Sequence, residues 1–138
     1  MKVLVDTSAW VDFLNGYASA EGAAVAEFLA GEDDVCTCGV IVSEVFQGLR
    51  KSAAYEEIAS LFREMTFLEP SGIAAYFRAA DLYRTLRRRG ITVRSTIDCL
   101  IAIVAEDNGC QVLARDRDMT TILSSGLLKA GFWRSPPA

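Results

Sequence analysis

"QVLARDRDMTTIL", residues 111–123, joins a short apolar run to two acids and then to a helix-like run. Val112-Leu113-Ala114 reads as a buried strand, and it stops at Asp116 and Asp118, set between Arg115 and Arg117. A strand that ends in acid and turns into a helix is the repeating unit of an α/β layer. The start of the chain has the same form. "KVLVD", 2–6, is a strand closing on Asp6, and Thr7 or Ser8 can cap a helix carrying Trp10, Val11, Phe13 and Leu14, with Gly16 as its stop.

Between these two units the alternation continues. A helix is predicted over about 21–30, a strand over 34–40, and a helix over 41–51 with Val42, Val45, Phe46 and Leu49 at i, i+3, i+4, i+7. A second helix carries Tyr55, Ile58, Leu61 and Phe62, and "MTFLEP", 65–70, is a strand closed by Pro70. The helix over about 72–89 is expected to turn Tyr76, Phe77, Ala80, Tyr83 and Leu86 to the core, with Gly90 as its stop. Trp10, Phe13 and Phe77 fit core spacing better than a base-stacking role. "STIDCLIAIVAEDNG", 95–109, is the most apolar helix, and "AGFWR", 130–134, a last strand. Strands alternating with helices imply a parallel sheet covered by helices on both faces.

At 138 residues with 51% apolar content, one domain with a substantial core is expected, spanning 1–134 and followed by a short tail, 135–138. The apolar start after Lys2 is too short for a signal peptide, and no run is long enough to cross a membrane, so a soluble cytoplasmic protein is expected. With that compartment and no histidine, Cys36, Cys38, Cys99 and Cys110 read as reduced buried thiols rather than disulfides or a zinc site.

Ligands of an open parallel sheet bind beyond the carboxyl ends of its strands. Asp6 and Asp116 fall at such ends. Glu44 and Asp98 fall near helix starts that the topology points to the same rim. Four carboxylates together need compensating positive charge, and all-oxygen ligands favour Mg²⁺ or Mn²⁺. Such an ion orients and neutralises a phosphodiester, which makes metal-assisted hydrolysis the expected reaction. With no histidine in the chain, the ion and a carboxylate must do the work of a base.

Each residue also has a plainer role. Asp6, Ser8 and Thr96 can cap helices, Glu44 can complement a helix dipole, and Ser95-x-x-Asp98 matches a capping box. Asp118 directly precedes "MTTIL" and suits the N-cap, so it stands either there or at the site beside Asp116. Ser8 and Thr96 can offer hydroxyls to an ion, a water or a phosphate. The net charge is −4, but Arg84, Arg87, Arg88, Arg89 and Arg94 lie close together. They read as a solvated helix end or as a phosphate-binding patch.

Taken in order, "VLVDTSAWVDFL", "VIVSEVFQGLR", "STIDCLIAIVAEDNGCQVL" and "ARDRDM" resemble the PIN-domain family, in particular VapC-type toxins of bacterial toxin–antitoxin pairs. The likeness runs from residue 2 to about 134. It implies an α/β/α sandwich around a parallel sheet of about five strands. It implies a Mg²⁺- or Mn²⁺-dependent endoribonuclease acting on RNA, transfer or ribosomal RNA among the targets, neutralised by a VapB-type antitoxin and commonly a homodimer. By position it assigns catalysis to Asp6, Glu44, Asp98 and Asp116, with Asp6, Asp98 and Asp116 on the metal and Ser8, Thr96 and Asp118 in support. Arg84, Arg87, Arg88, Arg94, Arg115 and Arg117 become candidate RNA contacts. Where VapC-type sequences often carry Phe after the last acid, this chain has Met119.

Three other readings fit the sequence less well. An aspartyl-phosphate enzyme would want a second acid at the position of Ser8. A nucleotide-binding fold would want a glycine-rich loop after the first strand. A catalytically silent PIN-like module that only binds RNA or protein would have little reason to gather mutually repelling acids.

Overall fold

The structure is a computed structural model and describes residues 1–50 and 53–135. Five strands form one all-parallel sheet in the order β3-β2-β1-β4-β5. They are β1 (Lys2–Val5), β2 (Asp34–Cys38), β3 (Thr66–Leu68), β4 (Gln111–Leu113) and β5 (Gly131–Phe132). The described helices are α1 (Thr7–Asn15), α2 (Ala20–Ala30), α3 (Gly39–Gln47), α4 (Ala53–Glu64), α5 (Ile73–Arg88), α6 (Thr96–Asp107) and α7 (Arg117–Ser124). Consecutive Val3, Leu4 and Val5 are all fully buried, so helices cover both faces of the central strand. The chain runs outward from β1 through β2 to β3, then returns to place β4 on the other side of β1. The order therefore reverses between β1 and β4, which is where an α/β sheet opens a crevice.

The ends of the elements have local causes. Gly16 closes α1 with φ 67°, a left-handed conformation that costs glycine nothing. Asp6, Ser19, Ser95 and Asp116 each cap a helix through a side-chain oxygen. Gly131 pairs with Gln111 so closely that a Cβ there would meet Gln111 Cγ at 2.9 Å, so a larger residue would push the Gln111 side chain aside. The second strand ends at Cys38, two residues earlier than predicted, because Gly39 already begins α3. That helix also ends early, at Gln47 with Gly48 as its cap rather than near 51, while Lys51 itself and Pro136-Pro137 lie outside the described residues.

α6 is buried at seven successive positions, Cys99 to Ala105, as a helix enclosed by α5, α7 and the sheet must be. The predicted face of α5 needs correction. Leu86 is buried and Tyr83 packs against the core as predicted, but Tyr76 is 54% and Phe77 64% exposed, and Ala75, Ala79 and Leu82 are buried instead. The small alanines let α5 lie close against α6, which leaves the Tyr76 and Phe77 rings of the first turns outward. The core assignment holds for Trp10, which is fully buried, and for Phe13, which packs beside it with ring centroids 6.1 Å apart. All four cysteines are buried free thiols. Burial pushes the Cys36 thiol up to about 12 and Cys99 up to about 11, so neither is a nucleophile at neutral pH. No described helix is long and apolar enough to cross a membrane.

Candidate active site

The site is built where β1 and β4 end side by side. The Asp6 N–H donates to the Leu113 carbonyl at 2.9 Å, which aligns the two strand exits. Asp6 is 4% exposed and is the N-cap of α1. Ser8 lies two residues on and ties the exits together. Its hydroxyl donates to Asp6 Oδ2 at 2.8 Å and accepts from the Arg115 and Asp116 N–H groups at 2.9 and 3.1 Å. One proton and two lone pairs are thereby all in use. Ser8 positions the acids of both strands rather than offering an oxygen to an ion, as the sequence had suggested.

Asp116, not Asp118, caps α7: its Oδ2 accepts from Met119 N at 3.1 Å. The predicted cap assignment is thus reversed, because the helix starts at Arg117 and the cap must precede it. Asp118 sits in the first turn and is held by Arg94. Arg94 Nε and its backbone N–H both donate to Asp118 Oδ2, at 2.8 and 3.0 Å, and Arg94 Nη2 donates to Asp116 Oδ1 at 2.9 Å.

Glu44 faces the same space from α3 and accepts from the Thr7 hydroxyl at 2.9 Å. Thr7 entered the sequence reading only as a possible cap, and nothing local could have shown this bond across 37 residues. Asp98 lies in the first turn of α6. Ser95 caps that helix by accepting from Ile97 N at 3.0 Å, but the reciprocal capping-box bond from Asp98 is not made. Among the described residues the Asp98 carboxyl accepts no hydrogen bond, so it is free for a ligand.

Asp6, Glu44, Asp98 and Asp116, with Arg94 and Ser95, line one cavity of about 430 Å³. Ligand oxygens of Asp98, Asp116 and Asp118 lie within 4.8 Å of one another. The tightest group therefore includes Asp118, expected only in support, and leaves out Asp6, which lines the same cavity. Thr96 is exposed and does not line the cavity.

Crowding of like charge shows in the acids themselves. Burial first, then the Asp6, Asp116, Asp118 and Glu44 charges, push the Asp98 carboxyl up to about 7. Asp6 is also raised, chiefly by burial, against the lowering effect of its Ser8 hydrogen bonds. The hydrogen bond from Arg94 holds Asp118 below the usual carboxylate value. A divalent cation would relieve this repulsion, and three clustered carboxylates are the hard oxygen donors Mg²⁺ and Mn²⁺ take.

The candidate RNA-contacting arginines separate. Only Arg94 lines the cavity. Arg84 pairs with Asp81 on its own helix, and Arg87 and Arg88 are exposed at the C-terminal end of α5, as is Arg117 at the start of α7. Arg115 is committed to Asp12, with Nη2–Oδ1 at 2.9 Å and Nε–Oδ2 at 2.5 Å. Asp12 is 1% exposed and was not singled out in the sequence. The available signal was an acid set among apolar residues in "SAWVDFL", one helical turn after Ser8.

A family model described as PIN domain matches residues 3–122. The chain belongs to the PIN-domain family. It is 32% identical to the ribonuclease VapC11 of Mycobacterium tuberculosis over 133 residues, covering 96% of this chain and 99% of the relative, and is a VapC homologue within that family. By fold it is similar to VapBC2 from Rickettsia felis, solved bound to a promoter DNA fragment, with TM-score 0.68, 16% identity, and 97% and 100% of the two chains covered. VapBC-1 from nontypeable Haemophilus influenzae gives the same TM-score and identity over 96% and 97% of the two chains. The resemblance stated from sequence therefore holds for the family.

Proposed function

We propose that this PIN-domain protein is a divalent-metal-dependent endoribonuclease, the toxin of a VapBC-type pair. The convergence of Asp6, Glu44, Asp98 and Asp116 on one cavity from four separate elements carries the reading. Asp98 and Asp116, with Asp118 and the adjacent Asp6, would hold Mg²⁺ or Mn²⁺, whose charge would orient the scissile phosphate and stabilise the charge that builds on it. Glu44, which accepts from the Thr7 hydroxyl and lines the cavity, would take a proton from an attacking water. Ser8 keeps the two strand exits in register, and the buried Asp6 fixes the Ser8 hydroxyl. Exposed Arg87, Arg88 and Arg117 would hold the RNA backbone outside an otherwise acidic opening.

Two protein partners belong to this reading. A second copy would cover the outward aromatic face formed by Phe67, Ile73, Tyr76 and Phe77, which are 53%, 72%, 54% and 64% exposed. A small VapB-type antitoxin would neutralise the enzyme by covering the acid cavity.

The test is cleavage-site mapping. Purified protein is incubated with total cellular RNA and Mn²⁺, and the 5′ ends are sequenced. Defined cuts that vanish with EDTA and with Asp98→Asn are expected. Cuts that persist in Asp98→Asn would remove the acid cavity from the chemistry. RNA binding without Mn²⁺ uptake or cleavage would favour a silent binding module.

A further inference from the structure

Arg94 closes on the acid cluster from the loop before α6, and its side chain is 77% exposed. The α7 cap already uses Asp116 Oδ2, so Arg94 holds the one Asp116 oxygen that the cap leaves over. It also holds Asp118 Oδ2. The guanidinium thus sits on oxygens that a cation among Asp98, Asp116 and Asp118 would need. Among the described residues it is also the only cationic side chain lining the cavity.

A guanidinium and a divalent ion repel at such a distance, so both do not share Asp116 Oδ1. The exposed side chain has solvent to swing into, and its ion pairs are of the weak, exchangeable kind. We propose that Arg94 is a displaceable counter-ion, resting on Asp116 and Asp118 until a divalent cation replaces it, and then free at the rim to bind the incoming RNA phosphate. Arg94 is in this sense a positioning residue that couples metal loading to substrate binding. The proposal rests on the metal-site reading above and adds to it a specific exchange.

Two measurements decide it. In calorimetric titration of EDTA-stripped protein with Mn²⁺, Arg94→Ala is expected to bind the ion about three- to tenfold more tightly than the parent, the size of one or two exposed ion pairs removed. Its Mn²⁺-loaded form should bind single-stranded RNA more weakly. If Arg94 instead holds the acids in a ligating shape, Arg94→Ala would bind Mn²⁺ more weakly, and that result, or an unchanged affinity, overturns the proposal.

In parallel, the Arg94 Nε–H resonance of the parent protein is followed during Mg²⁺ titration. Loss of its hydrogen-bonded shift together with movement of the Asp98 and Asp116 signals is expected. Movement of the aspartates while Arg94 stays bonded overturns the exchange alone. No movement of any of them removes the metal site and the exchange with it. Arg94→Gln, melted beside the parent, guards against misfolding as the cause.

Discussion

Asp98 is a half-buried carboxyl with no hydrogen bond among the described residues and four acids nearby. Its raised pKa makes ionisation unfavourable in the folded state. Between about pH 4, where an unfolded Asp ionises, and about 7, the folded chain holds a proton that the unfolded chain has lost, so stability falls as pH rises. In EDTA-treated protein, urea unfolding at pH 5 and pH 8 should show this loss, and Asp98→Asn should remove about 1–2 kcal/mol of it once solvent screening of a half-exposed group is allowed for. Added Mg²⁺ should reverse the slope, because a bound cation favours the ionised form. Ser8→Ala should act differently. It leaves two backbone N–H groups and Asp6 without their shared partner and should cost about 1–3 kcal/mol in urea, with cleavage falling at every pH.

At the scale of elements, the Asp12–Arg115 pair fastens α1 to the loop between β4 and α7. Arg115→Ala leaves a 1%-exposed carboxylate without its ion pair and should lower the urea midpoint, though by less than breaking a fully buried pair because Arg115 itself is half-exposed. A double-mutant cycle with Asp12→Ala should show coupling between the two, and additive effects would dismiss the fastening. The order of strands and helices was readable in sequence because each strand is a short apolar run and each helix keeps a 3.6-residue period. Asp6, Glu44, Asp98 and Asp116 were readable for a related reason: the topology fixes which ends share a rim, and these acids fall at those ends. Orientation within an element was harder. α5 carries apolar residues on two adjacent faces, so periodicity selected the aromatic face, while packing against α6 selected the alanines. The Asp116 cap, the Thr7–Glu44 bond and the Asp12 pair were hidden because each depends on a helix start or on a partner far away in the chain.

At the scale of the molecule, the outward aromatic face of α5 sets the expectation for assembly. If a second copy covers this face, Phe77→Glu should shift the protein from dimer to monomer in light scattering and remove the concentration dependence of its melting temperature, while the variant still unfolds cooperatively, since Phe77 contributes little to the protomer core. Loss of that cooperative unfolding would place Phe77 inside the protomer instead. The sheet order has another consequence. β4 enters beside β1, and the Ser8 hydroxyl joins residues 108 positions apart. A ribosome building this chain releases Asp6 and Glu44 long before Asp116 and Asp118 emerge to complete the pocket. The acidic pocket is therefore finished only when the last third of the chain has been made, a delay written into the order of the strands.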